Sequence, residues 1–146
     1  MHVNLTLSLP AHERLLRATR QAVAGYLRAC DVGDEVVEDV VLAVDEACSN
    51  VLRHAFPGSA ALGTYELRAD LRPGEIAIEV IDRGVGFDPM AKGSGGLLQL
   101  SGRGMEIMRR LMTSVEVESI SPGGGTRLLM RRHLPGADGD ARIRRA

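Results

Sequence analysis

Two neighbouring stretches of alternating residues constrain the fold of this chain more than any other feature. Apolar and polar residues alternate over 64–71 and again over 75–82, and Arg72-Pro73-Gly74 separates the two stretches. Because successive side chains of a strand point to opposite faces of a sheet, this pattern predicts a β-hairpin. One face of that hairpin is expected to lie in the protein core.

Other segments predict the elements on either side of the hairpin. Apolar residues at every second position over 3–9 predict an opening strand, which Pro10 ends. Asp34 lies just before the helix predicted over 35–55 and is its expected capping residue. Helices are predicted over 11–30, 35–55 and 105–112; later strands are predicted to begin at Val115 and to cover 126–132.

The size and composition of the chain favour one globular domain. With 146 residues, 45% of them hydrophobic, the chain can bury a core, and we assign the domain to 1–134 and a disordered tail to 135–146. A net charge of −1 provides no overall attraction to nucleic acid or to an acidic membrane. No segment has the length of a membrane span or the pattern of a signal peptide, so a cytoplasmic location is expected. Cys30 and Cys48 have neither metal nor redox spacing, which predicts two buried, reduced thiols.

The second predicted helix carries a row of polar residues. Glu46, Asn50 and His54 recur every four positions and therefore stack along one side of the helix. A carboxylate, an amide and an imidazole in one row predict a helix that packs on a sheet and borders a polar pocket. Taken alone, the row also fits a simpler interpretation, in which Asn50 and His54 make local contacts and Glu46 faces water. The buried stripe beside the row consists of Val40, Val44, Cys48 and Val51.

The end of the second hairpin strand is a candidate ligand site. Asp82 closes an apolar strand and is followed by Arg83-Gly84-Val85-Gly86. Gly84 and Gly86 can adopt backbone angles closed to other residues and can let a flat ligand approach. The aspartate can accept a hydrogen bond from an exocyclic amine such as that of adenine. The alternative is an Asx turn that ends the strand.

A long glycine-rich segment follows Asp82, and two further short glycine elements come at its end and later in the chain. The segment 83–104 is too long and too rich in glycine for a simple connection, which is typical of a lid or a linker. Gly102-Arg103-Gly104-Met105 opens the third predicted helix, where free N–H groups, the helix dipole and the Arg103 guanidinium attract phosphate oxygens. Gly123-Gly124-Gly125-Thr126 places a hydroxyl beside a third glycine cluster. Each element alone could equally be a flexible loop or a plain hairpin turn.

In this order, the segments resemble the gyrase, chaperone, histidine-kinase and mismatch-repair (GHKL) ATP-binding superfamily, and within it the stand-alone anti-sigma-factor serine/threonine kinases. The resemblance extends from the opening strand to Arg132. Glu46-Ala47-Cys48-Ser49-Asn50 with His54 is similar to the N box of that family, and the three glycine elements are similar to its three glycine boxes. The resemblance implies an α+β fold, a two-layer α/β sandwich. Its mixed, mostly antiparallel sheet would be covered on one face by about three helices and would carry a glycine-rich ATP lid.

The resemblance also implies a role for each site residue, with ATP and Mg²⁺ as cofactors. Asn50 would hold the Mg²⁺, and Glu46 would be the general base that takes the proton from an incoming hydroxyl. Asp82 would accept a hydrogen bond from the adenine amino group, in a pocket shaped by Gly84 and Gly86. The residues that would border the phosphates or the lid are Gly102, Arg103, Gly104, Met105 and Thr126.

The implied function is that of a bacterial serine/threonine kinase that acts as a homodimer. It would phosphorylate an anti-anti-sigma partner of the STAS-domain class and sequester a sigma factor by partner switching. The chain has no room for the transducer domain of a chaperone or topoisomerase, and none of its four histidines is an obvious phosphoacceptor. Two alternatives stay open: an ATP-binding partner-switching module with little kinase activity, and a switch kinase of a larger regulatory complex. Glu46 argues against the first alternative, because a pure binder needs no base beside Asn50.

Overall fold

The structure, a computed structural model, describes residues 2–55, 63–83, 102–120 and 124–136. Within these ranges the chain forms five strands and three α-helices, and a π-helical turn follows the second helix directly. The strands are β1 (Val3–Pro10), β2 (Thr64–Arg72), β3 (Glu75–Asp82), β4 (Ser114–Ser119) and β5 (Thr126–His133). The helices are α1 (Arg14–Ala29), α2 (Asp34–Asn50) and α3 (Arg103–Leu111), and the π-helical turn covers Val51–Ala55.

The five strands form one sheet in the order β1-β2-β3-β5-β4. The predicted hairpin is β2–β3, in which Tyr65 lies opposite Asp82 and Arg72 lies opposite Glu75. All four neighbouring pairs in the described ranges are antiparallel. The sheet is therefore antiparallel in each described pairing, whereas the sequence-based expectation allowed a mixed, mostly antiparallel sheet.

The core lies on one face of this sheet, because buried and polar residues alternate along each central strand. Leu67 and Ala69 of β2 and Ile76 and Ile78 of β3 are fully buried. The three helices cover this face, which confirms the two-layer α+β sandwich. Of the segment 83–104, which was predicted to be a lid or a linker, residues 84–101 lie outside the described residues. The helices contribute Thr19, Val23 and Leu27 from α1, Val36, Val37, Val40, Ala43, Val44, Ala47 and Cys48 from α2, and Met105 and Met108 from α3.

The opposite face of the sheet carries charged side chains that pair across strands. Arg127 of β5 donates to Glu79 of β3 at 2.8 Å and to Glu118 of β4 at 2.7 Å. These two carboxylates raise the pKa of the Arg127 guanidinium. Because the pairs are partly exposed, each stabilises the sheet by no more than about 1 kcal/mol. The outer face is thus polar and ion-paired.

Two local predictions need correction. Asp34 does not cap α2, because Gly33 occupies the N-cap position in an extended conformation and no side chain caps the helix. Asp34 instead begins the helix, where its negative charge is favourable near the N-terminus, and it pairs with Arg28 at 3.3 Å. The second predicted helix is not continuous to residue 55, since α2 ends at Asn50 and the π-helical turn follows. The regular four-residue spacing of the polar row is therefore lost before His54.

The length and apolarity of the helices decide whether any of them could span a membrane. None of the helices in the described ranges is long and apolar enough to cross a membrane. The longest of them, α2, has 17 residues and carries acidic residues in its first turn.

Candidate functional site

Glu46 and Asn50 lie one turn apart at the C-terminal end of α2. Both side chains are half-buried, whereas Ala47 and Cys48 beside them are fully buried on the sheet-facing side. The helix is thus held by its apolar stripe, and it presents the carboxylate and the amide together at the edge of the core. This is the arrangement that the sequence predicted for these two residues. The side chain of His54 lies outside the described part of the chain.

The N-terminal end of α3 packs directly against this pair. A Cβ atom at Gly104 would lie 2.8 Å from Glu46 Oε2, 3.7 Å from Asn50 Oδ1 and 3.8 Å from Asn50 Nδ2. The first distance is too short for any side chain, so a substitution at this position would move the Glu46 carboxylate. The absence of a side chain at Gly104 thus lets the Glu46 carboxylate lie against the first turn of α3, and it brings the second glycine element into contact with the N-box residues.

The first turn of α3 has backbone N–H groups directed at its N-terminal end. Gly102 is the N-cap in an extended conformation, without a side-chain cap, and its carbonyl accepts from the N–H groups of Met105 at 3.1 Å and Glu106 at 3.3 Å. Arg103 is exposed. The Met105 side chain is 4% exposed and belongs to the core, so only the backbone of this residue is near the site. A helix start of this kind favours negative charge, which suits both a carboxylate and a phosphate.

A second group of predicted residues meets at the end of β3. Asp82 lies opposite Thr126 of β5 and opposite Tyr65 of β2. Its side chain is 5% exposed, and it continues the helix-facing row of the strand. The carboxylate therefore lies at the sheet end on the same side as the helices. Gly84 and Gly86, which were predicted to shape the pocket, lie outside the described residues.

Gly125 makes the approach of β5 to Asp82 possible. Its φ angle is +112°, and a Cβ atom would lie 2.2 Å from the Asp82 carbonyl oxygen and 2.7 Å from the Arg83 Cα. Both contacts are to backbone atoms, which cannot rotate away as a side chain can. The third glycine element thus has a steric reason for glycine at this one position, next to Thr126.

Polar side chains inside the core connect α1, α2 and β2. The Thr19 hydroxyl donates to the carbonyl of Leu15 at 2.8 Å, and Tyr65 hydrogen-bonds with Thr19 and Cys48. Burial raises the pKa of the Cys48 thiol to about 12, so the thiol is protonated at neutral pH and is not a nucleophile. Burial also raises the pKa of the Tyr65 phenol. Cys48 is the buried, reduced thiol that was predicted, and Cys30 is half-buried.

The sequence interpretation missed one residue at this site, Arg53. Its Nη2 donates to Asn50 Oδ1 at 3.2 Å, and its Nε donates to the Ser49 carbonyl at 3.3 Å. The side chain is exposed and pairs with no carboxylate in the described ranges. The signal that could have identified it is a cation three residues after Asn50, on the same side of the helix.

The residues present fit a magnesium ion that is shared with a nucleotide. Mg²⁺ prefers oxygen ligands and is commonly held by one or two protein oxygens together with substrate phosphates. Asn50 Oδ1 is such an oxygen, with the Glu46 carboxylate one turn away and the N-terminus of α3 beside it. The described ranges contain no group of three or more histidine, cysteine or acidic side chains that could hold a metal without a nucleotide.

Comparison with protein families gives a match over most of the chain. Residues 9–132 match the family described as the histidine kinase-like ATPase domain. The anti-sigma F factor of Caldanaerobacter subterraneus subsp. tengcongensis is 32% identical over 121 residues, which are 79% of this chain and 82% of that protein. The anti-sigma F factor of Clostridium acetobutylicum is 31% identical, over 77% of this chain and 81% of that protein. The serine-protein kinase RsbW of Listeria innocua is 27% identical, over 80% of both chains.

Solved structures share the fold. The crystal structure of the RsbU and RsbW domains of a Mycobacterium tuberculosis protein has a TM-score of 0.66 and 21% identity, and the match covers 90% of this chain and 32% of that chain. The histidine kinase domain of a blue-light activated histidine kinase from Erythrobacter litoralis has a TM-score of 0.55 and 22% identity, over 86% of this chain and 62% of that chain. At these identities the likeness concerns the fold alone.

Proposed function

This chain belongs to the histidine kinase-like ATPase domain family, and on that premise we propose that it is an ATP-dependent anti-sigma serine/threonine kinase. It phosphorylates a serine or threonine of an anti-anti-sigma protein of the STAS-domain class and sequesters a sigma factor by partner switching. The names of its relatives, anti-sigma F factor and serine-protein kinase, support this proposal. The observation that carries it is the Glu46 carboxylate beside the Asn50 amide, under the N-terminus of α3.

In the proposed reaction, Glu46 is the general base and Asn50 is the protein ligand of Mg²⁺. Glu46 takes the proton of the incoming hydroxyl as the hydroxyl oxygen forms its bond to the γ-phosphorus and the bond from that phosphorus to ADP breaks. Bound Mg²⁺ would neutralise part of the phosphate charge. The N–H groups at the start of α3 and the Arg103 guanidinium favour a negative charge beside them. Together with Gly102 and Gly104, they would form the protein side of the proposed phosphate site.

Arg53 supplies a further cation to this proposed phosphate site. In the structure its guanidinium donates to Asn50 Oδ1, the oxygen that we assign to the metal. If Asn50 held the Mg²⁺ of a bound nucleotide, this guanidinium would add positive charge beside the phosphates that share the ion. Since its side chain is exposed and makes only two hydrogen bonds in the described ranges, the exchange of partners costs little.

The adenine end of the proposed site is the end of β3. Asp82 accepts a hydrogen bond from the exocyclic amine, Gly84 and Gly86 shape the pocket, and Thr126 lies opposite Asp82 on β5. The near-complete burial of Asp82 favours this role, because an adenine ring that reached it would leave water. Gly125 supports the assignment of the adenine end to this strand end, because it lets β5 approach the Asp82 backbone.

The direct test of the proposed function is phosphoryl transfer to a partner. The purified protein, Mg-ATP labelled at the γ-phosphate and candidate STAS-domain proteins are incubated together, and the label is expected on a serine or threonine of one of them. ATP binding without transfer to a partner that the protein binds stably would favour the alternative, a partner-switching module with little kinase activity. Transfer only within a larger complex would favour the switch kinase. A pull-down of sigma factor with ATP and with ADP tests sequestration separately.

Replacing Asp82 by asparagine is expected to weaken ATP binding by about 10- to 100-fold, because a charge-assisted hydrogen bond to the adenine amine is lost. The measurement is titration calorimetry with ATP and with purine riboside triphosphate, which lacks that amine. The variant and the unchanged protein should bind the second nucleotide with similar affinity. Asp70→Asn, a carboxylate on the outer face of β2, is the matched control. An equal loss for both nucleotides would argue against recognition of adenine by Asp82.

Homodimerisation and cytoplasmic location belong to the same proposal. The strand β1 lies at the edge of the sheet and pairs only with β2 in the described ranges. Its apolar residues Val3, Leu5, Leu7 and Leu9 are partly exposed, and Leu5, Leu7 and Leu9 also pack against the core. The support for a second copy is therefore the edge position of β1 in the described ranges. Light scattering of the purified protein gives the mass that decides between monomer and dimer. The net charge of −1 favours protein partners over direct nucleic-acid binding.

A further inference from the structure

We propose that Arg132 is a positioning residue for the base. It fixes the C-terminal end of α3 to α2 and thereby holds Gly104, at the other end of α3, against Glu46. The inference rests on the proposed function only for the role of Glu46 in phosphoryl transfer. Arg132 lies on β5 on the helix-facing side, in the same row as Leu128 and Met130.

The Arg132 guanidinium connects three elements of the fold. Its Nη1 donates to the carbonyl of Leu111, the last residue of α3, and its Nη2 donates to Asp39 Oδ2 of α2 at 2.9 Å. The two charged side chains are 23% and 28% exposed, so the pair is largely shielded from water. The last carbonyls of a helix have no partner within it, and a cation there is favourable. Arg132 therefore caps α3 and joins it to α2 with one side chain.

The two ends of α3 are joined to two positions on α2 that have the same spacing along the chain. Asp39 and Glu46 are seven residues apart on α2, and Gly104 and Leu111 are seven residues apart on α3. Both pairs span about 10 Å at 1.5 Å per residue, so the two helices run antiparallel with both ends of α3 fixed on α2. The buried Met108 lies between the two ends. Because a short helix is stiff, a shift of its C-terminal end is passed to Gly104.

This contact places the backbone of α3 close to the Glu46 carboxylate on one side. A Cβ atom at Gly104 would already be 2.8 Å from Glu46 Oε2, so the position of α3 limits where the carboxylate can lie. Two hydrogen bonds of Thr113 also hold the chain after α3 to β5, namely Thr113 N to the Arg131 carbonyl at 2.7 Å and His133 N to Thr113 Oγ1 at 2.9 Å. They do not involve α2. Without Arg132, α3 stays on the sheet but loses its fixed register along α2.

The first arm of the test is kinetic and uses Arg132→Met in the full chain. The rate constant of transfer is expected to fall about 10- to 100-fold, and the KM for ATP should rise as well, because a shift of α3 moves both the contact to the base and the N–H groups of the phosphate site. Arg131→Met is the matched control, since the neighbouring Arg131 pairs with Glu75 on the outer face of the sheet at 3.5 Å. Arg132→Lys should restore part of the rate, because an ammonium can pair with Asp39 but cannot bridge both partners as a planar guanidinium does.

The second arm measures the contact itself in the nucleotide-free protein. In ¹H–¹⁵N spectra, Glu46→Gln should shift the amide signal of Gly104 in the otherwise unchanged chain. The same substitution in the Arg132→Met background should shift it clearly less. If Arg132→Met does not fold, Asp39→Asn replaces it in both arms. An equal Gly104 shift in both backgrounds, or a loss of rate in Arg131→Met as large as in Arg132→Met, would overturn the proposal.

The two arms separate the failure of this inference from the failure of the proposed function. The spectroscopic arm requires no kinase activity and no nucleotide. If the unchanged protein transfers no phosphate, the kinase proposal fails, and the spectra still decide whether Arg132 holds Gly104 against Glu46. If transfer is normal and the spectra show no dependence on Arg132, only the positioning role is wrong.

Discussion

Replacing Glu46 by glutamine is expected to reduce phosphoryl transfer by about 100- to 10,000-fold, the usual contribution of a general base. Glutamine has nearly the same shape as glutamate, so it preserves the packing against Gly104 but cannot accept the hydroxyl proton. The affinity for Mg-ATP should stay within about threefold, because Asn50 and the start of α3 remain in place. The measurements are single-turnover transfer to the partner protein and calorimetric titration with Mg-ATP.

Glu38 provides the control for this experiment. It lies on α2 two turns before Glu46, and its side chain is exposed. Glu38→Gln makes the same change of charge on the same helix at an exposed side chain, so transfer should be unaffected. A large loss of ATP affinity in Glu46→Gln would contradict the assignment as base and would favour a role in holding the metal. Normal transfer in Glu46→Gln would remove Glu46 from the mechanism altogether.

Replacing Gly125 by alanine is expected to destabilise the protein by about 3 kcal/mol or more. A positive φ angle costs a residue with a side chain about 1 to 3 kcal/mol. At φ +112° the new Cβ would also lie 2.2 Å from the Asp82 carbonyl oxygen, so β3 or β5 must move. In a chain of this size the melting temperature should fall by roughly 2 to 4 °C per kcal/mol. Urea unfolding followed by far-UV circular dichroism measures the loss.

Gly136→Ala separates the two causes of that loss. Gly136 has a similarly positive φ angle of +99°, but a Cβ atom there meets nothing within 4 Å. Its substitution therefore costs only the backbone strain of about 1 to 3 kcal/mol, without the clash. If the two variants lost equal stability, the close approach of Gly125 to Asp82 would not matter. If Gly125→Ala folds, its ATP affinity should also fall, because the strand end that carries Asp82 is displaced.

Local patterns in the sequence account for most of the sheet and helix layer. The alternation over 64–71 and 75–82 correctly predicted β2 and β3 with their turn, because a strand places every second side chain on the core face. The same reasoning placed Glu46 and Asn50 together at the edge of the core. It failed at Asp34, where the preceding glycine already adopts the extended cap conformation, and after Asn50, where the helix changes to a π-helical turn. Neither choice follows from apolar periodicity.

The pairing of glycines with their neighbours could not be predicted from the glycine clusters themselves. Gly102 and Gly104 were predicted to border the phosphates or the lid, and Gly125 was only part of the third glycine element; the clusters give no distance between segments that are far apart in the chain. The fold shows that Gly104 lies against Glu46 and Gly125 against the Asp82 backbone. The roles assigned to Gly84 and Gly86 remain predictions, since these residues lie outside the described ranges.

The sequence by itself determined the kind of protein: an α+β sandwich with the residue types of an ATP site in the order typical of its family. That information is local, because strand alternation, helix period and short motifs are properties of neighbouring residues. Only the tertiary structure decided which side chains share the site with Glu46 and Asn50. It brought Gly104 to the carboxylate, Arg53 to the amide oxygen and Arg132 to both helices. Except for Arg53, these contacts join residues 21 to 93 positions apart, and their geometry depends on how α2 and α3 pack on the sheet.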